Sequence, residues 1–336
     1  MEHHFGFPIE VIIIFIVAIV SSITLDLVIH NKPHHEITVA DSAKWAIFWI
    51  ALALCFYVYL LFRFDKEWAD LYLAGYLLEK TLSIDNLVVF IAIFASFGIM
   101  PHLQHRILYW GILGALIFRA IFVVIGTSLF AASPWVGFVF AILIAYSAIH
   151  MLKSGDKDEE IEDYSNHGAV KFVGRFTPIY ARLFGERFFV RHEELSEEQL
   201  ESVSHKGHRY VTPAFLCLII IELSDIAFAF DSVPAVIAVT QEPLLVYAAM
   251  IFAILGLRTL YFIIAVLNQK LVHLKKAVIF LLFFIAAKMI LVAVNEVFGD
   301  TGLHISPSLS LIIILGILAI GIIASFVFPK KEELES

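Results

Sequence analysis

Hydrophobic positions along this chain run in nearly unbroken stretches rather than in the narrow stripe of a soluble amphipathic helix. About 20 consecutive apolar residues are what a helix needs to cross the hydrocarbon core of a bilayer. Nine windows of that kind are present, near residues 8–29, 43–62, 70–97, 104–130, 134–152, 211–240, 243–268, 275–298 and 307–328. They predict an all-α, polytopic membrane protein of about nine transmembrane helices. Polar residues gather between the windows, above all in 153–210, which holds 12 Asp/Glu and 9 Lys/Arg. The pattern divides the chain into two N-terminal helices (1–69), three helices (70–152), a polar segment (153–210), three more helices (211–298) and a last helix with its tail (299–336).

Composition sharpens this picture. With 60% hydrophobic and 16% charged residues, the chain lies outside the soluble range of about 45–50% and 25%. The first window is expected to be a mature helix, because residues 1–31 contain no Lys or Arg and no small-residue cleavage site follows the apolar run. Lys and Arg mark the cytoplasmic side. One alternate set of loops holds 2 of them and the other 17, with four more inside the windows. This asymmetry places the N-terminus outside and the C-terminus in the cytoplasm. The second window, with Trp45, Trp49, Phe56, Tyr57 and Tyr59, is expected to face lipid. Cys55 and Cys217 lie inside windows and imply no disulfide framework.

Two windows carry charge where lipid would not tolerate it. The third holds Glu79, Lys80, Asp85 and Asn86; the sixth holds Glu222, Asp225, Asp231, Ser232 and Pro234. A charge at the bilayer centre costs roughly 2.5–3.5 kcal/mol on insertion scales, so such residues face a protein interior and mark an ion or substrate path, or else form structural ion pairs. Glu79 to Asp85-Asn86 repeats the spacing of Asp225 to Asp231-Ser232. Downstream, Arg119-Ala-Ile-Phe122 is echoed by Arg258-Thr-Leu-Tyr261. Helices three to five and six to eight therefore read as two copies, and copies three spans apart cross the membrane in opposite senses, an inverted-topology repeat.

At 100° per residue, Glu79 and Asn86 share a face to within about 20°, as do Asp225 and Ser232, whereas Asp85 and Asp231 point about 120° away in a straight helix. Pro234 is expected to kink or unwind its helix and swing Asp231 toward the others. The candidate metal ligands are Glu79, Asp85, Asn86, Glu222, Asp225, Asp231 and Ser232, all oxygen donors, which suits Mg, Ca or Mn. Arg119, Arg258, Lys80 and Lys288 are the candidate counter-charges.

Near the end of the first window, Asp26 reads as a water-facing helix end, and outside the windows His34-His35-Glu36 reads as a solvated loop. Asp156–Asp163 is acidic and expected to be disordered. From Val170 to Arg191, basic residues alternate with Phe172, Phe176, Leu183, Phe184, Phe188 and Phe189. That pattern predicts an interfacial amphipathic helix broken near Pro178, or a surface for a cytosolic partner.

GYLLEKTLSIDN (75–86), FFVR (188–191), ELSDIAFAFDSVPA (222–235), FAILGLR (252–258) and Lys288-Met289 together resemble the TerC/Alx family of integral membrane proteins. That family is similar in architecture to LysE-type exporters. The resemblance implies export of Mn²⁺ across the bacterial inner membrane, with Glu79, Asp85, Glu222, Asp225 and Asp231 as its functional acids. For some members it implies delivery of manganese to secreted enzymes, which makes a membrane scaffold the alternative function. The implied partners are a divalent cation, the lipid bilayer and the secretion translocon or secreted metalloproteins; no nucleic acid is implied. No HExxH or GxSxG stretch points to an enzyme.

Overall fold

The computed structural model describes residues 39–154, 168–200, 203–204, 207–267 and 273–328, with eight positions between 13 and 24. Asp26, His34, His35, Glu36 and Asp156–Asp163 lie outside the described residues, as does most of the first window. The described helices are α1 (Val39–Arg63), α2 (Lys66–Ser96), α3 (Pro101–Ala132), α4 (Trp135–Ser154), α5 (Gly168–Phe176), α6 (Glu197–Leu200), α7 (Pro213–Thr240), α8 (Pro243–Ile254), α9 (Leu257–Leu267), α10 (Leu274–Phe298) and α11 (Pro307–Val327). Local sequence sets their starts. Pro101, Pro213, Pro243 and Pro307 each open a helix, where the missing N–H has no partner to lose. Asp65 caps α2 by accepting from the Trp68 N–H at 3.0 Å, and Ser306 caps α11.

Among the described residues, six helices are long and apolar enough to cross a membrane, or seven if α8 and α9, bent by 48°, form one broken span. The expected count of nine is not reached there. α2 has 31 residues, or about 46 Å, but Glu79, Lys80 and Asp85 take it out of the apolar class.

α2 and α7 form the centre. α2 packs on α8 and α7, α3 packs on α7, and α4 lies along α10. The last stretch of α7, Ser232–Thr240, and most of α8 beyond its first turn are buried, through Ala235, Val236, Ile237, Ala248, Ala249 and Phe252. Outward, α3, α4 and α11 present Ile117, Ile121, Ile142, Ile312 and Ile320, an apolar surface that only lipid suits. α1 meets the lipid-facing expectation on one side only, through exposed Ile47, Leu54, Val58 and Phe62. Trp49 and Phe56 are buried, and the Phe56 ring lies 5.0 Å from Tyr72 and 5.1 Å from Phe252. Alternating aromatic and aliphatic residues fit either solvent, and only packing decides which face turns inward.

Two further expectations are corrected. α7 runs unbroken from Pro213 to Thr240 through Pro234, because neighbouring helices hold the chain where one backbone bond is lost. The interruption lies instead at Gly256, with φ +81°, a conformation glycine adopts without a Cβ penalty. The amphipathic helix does break near Pro178, stopping at Phe176 because the residue before a proline disfavours helix, but it does not resume. Beyond Pro178 the chain folds into a small module: β1 (Phe189–Arg191) pairs antiparallel with β2 (Arg209–Val211), over a core of Tyr180, Val190, Leu195 and Tyr210.

Candidate functional site

Where α2, α3 and α7 meet, three buried charges converge: Glu79, Arg119 and Asp225, 0%, 2% and 4% exposed. Glu79 is 13 residues into α2 and Asp225 is 12 into α7, so each sits about 18–20 Å from its helix start, near the middle of a hydrocarbon core. The Arg119 Nε donates to Asp225 Oδ2 at 3.2 Å and Nη2 donates to Oδ1 at 2.8 Å. This is the two-pronged geometry that makes arginine the preferred partner of a buried carboxylate. On its other side, Arg119 Nη1 forms an ion pair with Glu79 Oε1. Ser83, one turn along α2, donates to the same oxygen at 3.4 Å. One cation thus binds two carboxylates from the two acidic helices. The second Glu79 oxygen, Oε2, has no hydrogen-bond partner.

Glu222 lies one turn before Asp225, and its Oε2 is also buried without a partner. It packs against Gly114 on α3 so closely that a Cβ there would overlap its carboxylate. Gly114 makes room for this acid, a role invisible in sequence because glycine is common in apolar helices. Ser232 is buried with its hydroxyl unpartnered. Asp231, half-buried on α7, faces Ser147 of α4 and lies within the field of Arg119. Asn86 is half-buried, and the Asp85 side chain lies outside the described residues.

The lysines correct the counter-charge expectation. Among the described residues, both reach carbonyls rather than carboxylates. Lys80 Nζ donates to Ala253 O at 3.0 Å and Leu255 O at 3.3 Å, and Lys288 Nζ to Val239 O at 3.2 Å. Each thus caps the carbonyl end of a helix, where the backbone dipole favours a cation. Sequence spacing places a lysine at depth but does not distinguish a carbonyl partner from a carboxylate. Arg258 is buried on α9 and lines a cavity beside Gly256.

A further buried carboxylate went unread in the sequence. Asp70, on α2, accepts from Tyr57 of α1 at 3.4 Å and from Ser308 of α11, tying three helices together.

Among the described residues, no three His, Cys, Asp or Glu side chains are gathered as for a metal ion. The site brings Glu79 and Asp225 together through Arg119, with Glu222 one turn away. Apart from Arg119 Nη1, which is ion-paired to Glu79, its buried atoms without a hydrogen bond are Glu79 Oε2 and Glu222 Oε2, oxygens able to accept a cation, and Ser232 Oγ is another about two turns along α7. Buried acceptors are rarely left alone, so this donor set is chemically suited to a hard cation.

A family model described as the integral membrane protein TerC family matches residues 64–333. The tellurium resistance protein TerC of Serratia marcescens is 50% identical over 342 residues, covering 99% of this chain and 98% of its own. A protein of the same name from an Alcaligenes species is 47% identical, over 99% and 98% of the two chains. The Alx protein of Salmonella typhi is 32% identical, over 92% and 91%. No solved structure matches the chain.

Proposed function

The chain belongs to the TerC family of integral membrane proteins, and from that premise we propose that it exports Mn²⁺ across the bacterial inner membrane. The observation that carries this reading is the pair of unpartnered oxygens Glu79 Oε2 and Glu222 Oε2 beside a buried acid–arginine–acid triad, with Ser232 Oγ about two turns further along α7. The two carboxylates bound by Arg119 are held close together, and one guanidinium cannot neutralise both along with Glu222. A divalent ion entering from the cytoplasm would take the open Glu79 and Glu222 oxygens, while Arg119 holds Asp225 in place and limits the negative charge left after release. Asp85, Asn86 and Asp231 complete the proposed ion path, and Arg258 belongs to the same proposed charge balance.

We assign α2–α4 and α7–α10 to two inverted copies. The packing supports this, since α2 on α8 and α7 on α3 are the pairs such an exchange would interconvert. The two relatives named for tellurium resistance raise a tellurium oxyanion as competing cargo. Unpaired carboxylate oxygens repel an anion, and Mn²⁺ is the better match.

A second reading is a scaffold that hands manganese to secreted proteins at the translocon. The folded module around Tyr180, Val190, Leu195 and Tyr210 favours it as a docking element. Purified protein in otherwise empty liposomes decides between them: Mn²⁺ uptake that Glu222→Gln abolishes supports the exporter. Absence of uptake from correctly folded protein leaves the scaffold.

A further inference from the structure

The break between α8 and α9 has a construction that transport at the triad does not by itself require. α8 ends at Ile254 and α9 begins at Leu257, at 48° to it. In a bilayer interior, carbonyls freed by such a break must find partners inside the protein. Here two of them, on Ala253 and Leu255, converge on the single ammonium of Lys80. On the far side, the Thr259 hydroxyl donates to Gly256 O at 2.8 Å. Trp49 lies against Gly256 where a Cβ would stand, so the ring closes over the bend. Beside it is a cavity of about 40 Å³, lined by Trp49, Tyr109, Leu116, Leu255 and Arg258. That is room for a few waters, or for the chain to move.

We infer that the break at Gly256 is a hinge and that Lys80 is its latch, a tethered cation occupying the carbonyl end of α8. Three observations converge on this. The bend rests on one glycine conformation, the freed carbonyls are held by a side chain from another helix rather than by backbone, and a cavity adjoins the bend. Lys80 also follows Glu79 directly, so α2 carries the ion-site acid and the latch on consecutive residues. A cation arriving at Glu79 repels the neighbouring ammonium and loosens it from Ala253 and Leu255. That last coupling rests on the proposed cation transport, whereas the hinge and the latch do not.

The test uses the full chain in liposomes, with Cys55 and Cys217 replaced and Leu255→Cys introduced, and follows its reaction with a water-soluble maleimide. Without metal, Lys80→Met is expected to raise the labelling rate about tenfold, the equivalent of one lost charge-assisted hydrogen bond. Lys80→Arg, which keeps the cation, stays near the parent rate. Should Lys80→Met fail to insert, Thr259→Val removes one of the two hydrogen bonds on the Gly256 carbonyl, leaving that from the Leu260 N–H, and loosens the same hinge from its other side. Mn²⁺ is expected to speed labelling in the parent and to leave Lys80→Met unchanged. Flat labelling across Lys80→Met and Thr259→Val overturns the latch, as does lowered thermal stability with no change in labelling. Labelling that rises with Lys80→Met yet ignores Mn²⁺ upholds the hinge and counts against the cation reading alone.

Discussion

Arg119 is the residue on which the interior balances. It bridges Glu79 and Asp225 from two different helices while almost wholly buried. Its removal therefore strands two carboxylates out of water. Breaking a buried pair by deleting one partner costs about 3–5 kcal/mol, so Arg119→Met should lose most of its folded yield and melt markedly lower in detergent. Adding Glu79→Gln and Asp225→Asn should recover much of that stability; no recovery would show that Arg119 acts through packing instead. Gly114 makes a finer test. Gly114→Ala places a methyl where the Glu222 carboxylate lies, and overpacking of this size costs about 1–3 kcal/mol. Insertion should survive while Mn²⁺ flux falls as steeply as in Glu222→Gln. Of this site, the paired spacing of acids and the depth of Arg119 were legible in the sequence, because both follow from helical geometry. Which acid Arg119 binds was not, since Asp225 and Asp231 lie on one helix and only packing against α2 and α3 selects between them.

At the scale of elements, apolar runs located the helices well. The windows 211–240, 275–298 and 307–328 became Pro213–Thr240, Leu274–Phe298 and Pro307–Val327, because in lipid an unbroken apolar stretch has little alternative to helix. The break in 243–268 escaped notice, since one glycine in an apolar run carries no sign of its φ. The hairpin was equally hidden: its strands are three residues each, too short for an alternating pattern. Its stability has a legible pH signature. Glu194 Oε2 accepts from the Arg191 N–H at 3.0 Å and Oε1 pairs with Arg187 Nη1 at 2.6 Å. The backbone bond first, then the Arg187 contact, hold this carboxyl below its ordinary range. A lowered folded-state pKa contributes stability that is present above the unfolded value and lost as pH falls through the folded one. Hydrogen exchange at the Arg191 amide should accordingly quicken as pH drops below about 4.3, after correction for intrinsic rates, and Glu194→Gln should flatten that dependence. A pH-independent protection factor would show that the strand pairing alone holds the module.

The scale of the whole molecule bears on the direction of the proposed ion path. Helix alternation puts the α3–α4 turn, the α7–α8 turn and the loop 299–306 on one side of the membrane, with the hairpin module and the α9–α10 connection on the other. The first group is poor in Lys and Arg and the second rich, from which we propose that the module faces the cytoplasm. In that proposed orientation, Glu79 on a helix entering from outside and Asp225 on one entering from the cytoplasm meet at mid-depth from opposite faces, the geometry an alternating-access carrier needs. In a background without Cys55 and Cys217, single substitutions Ala132→Cys and Gln241→Cys should therefore react with a membrane-impermeant thiol reagent in intact cells. Arg182→Cys, on the exposed surface of the module, should react only after the membrane is opened. Labelling of Arg182→Cys in intact cells would invert the orientation, and a cation drawn from the cytoplasm would then meet the lysine- and arginine-poor face first.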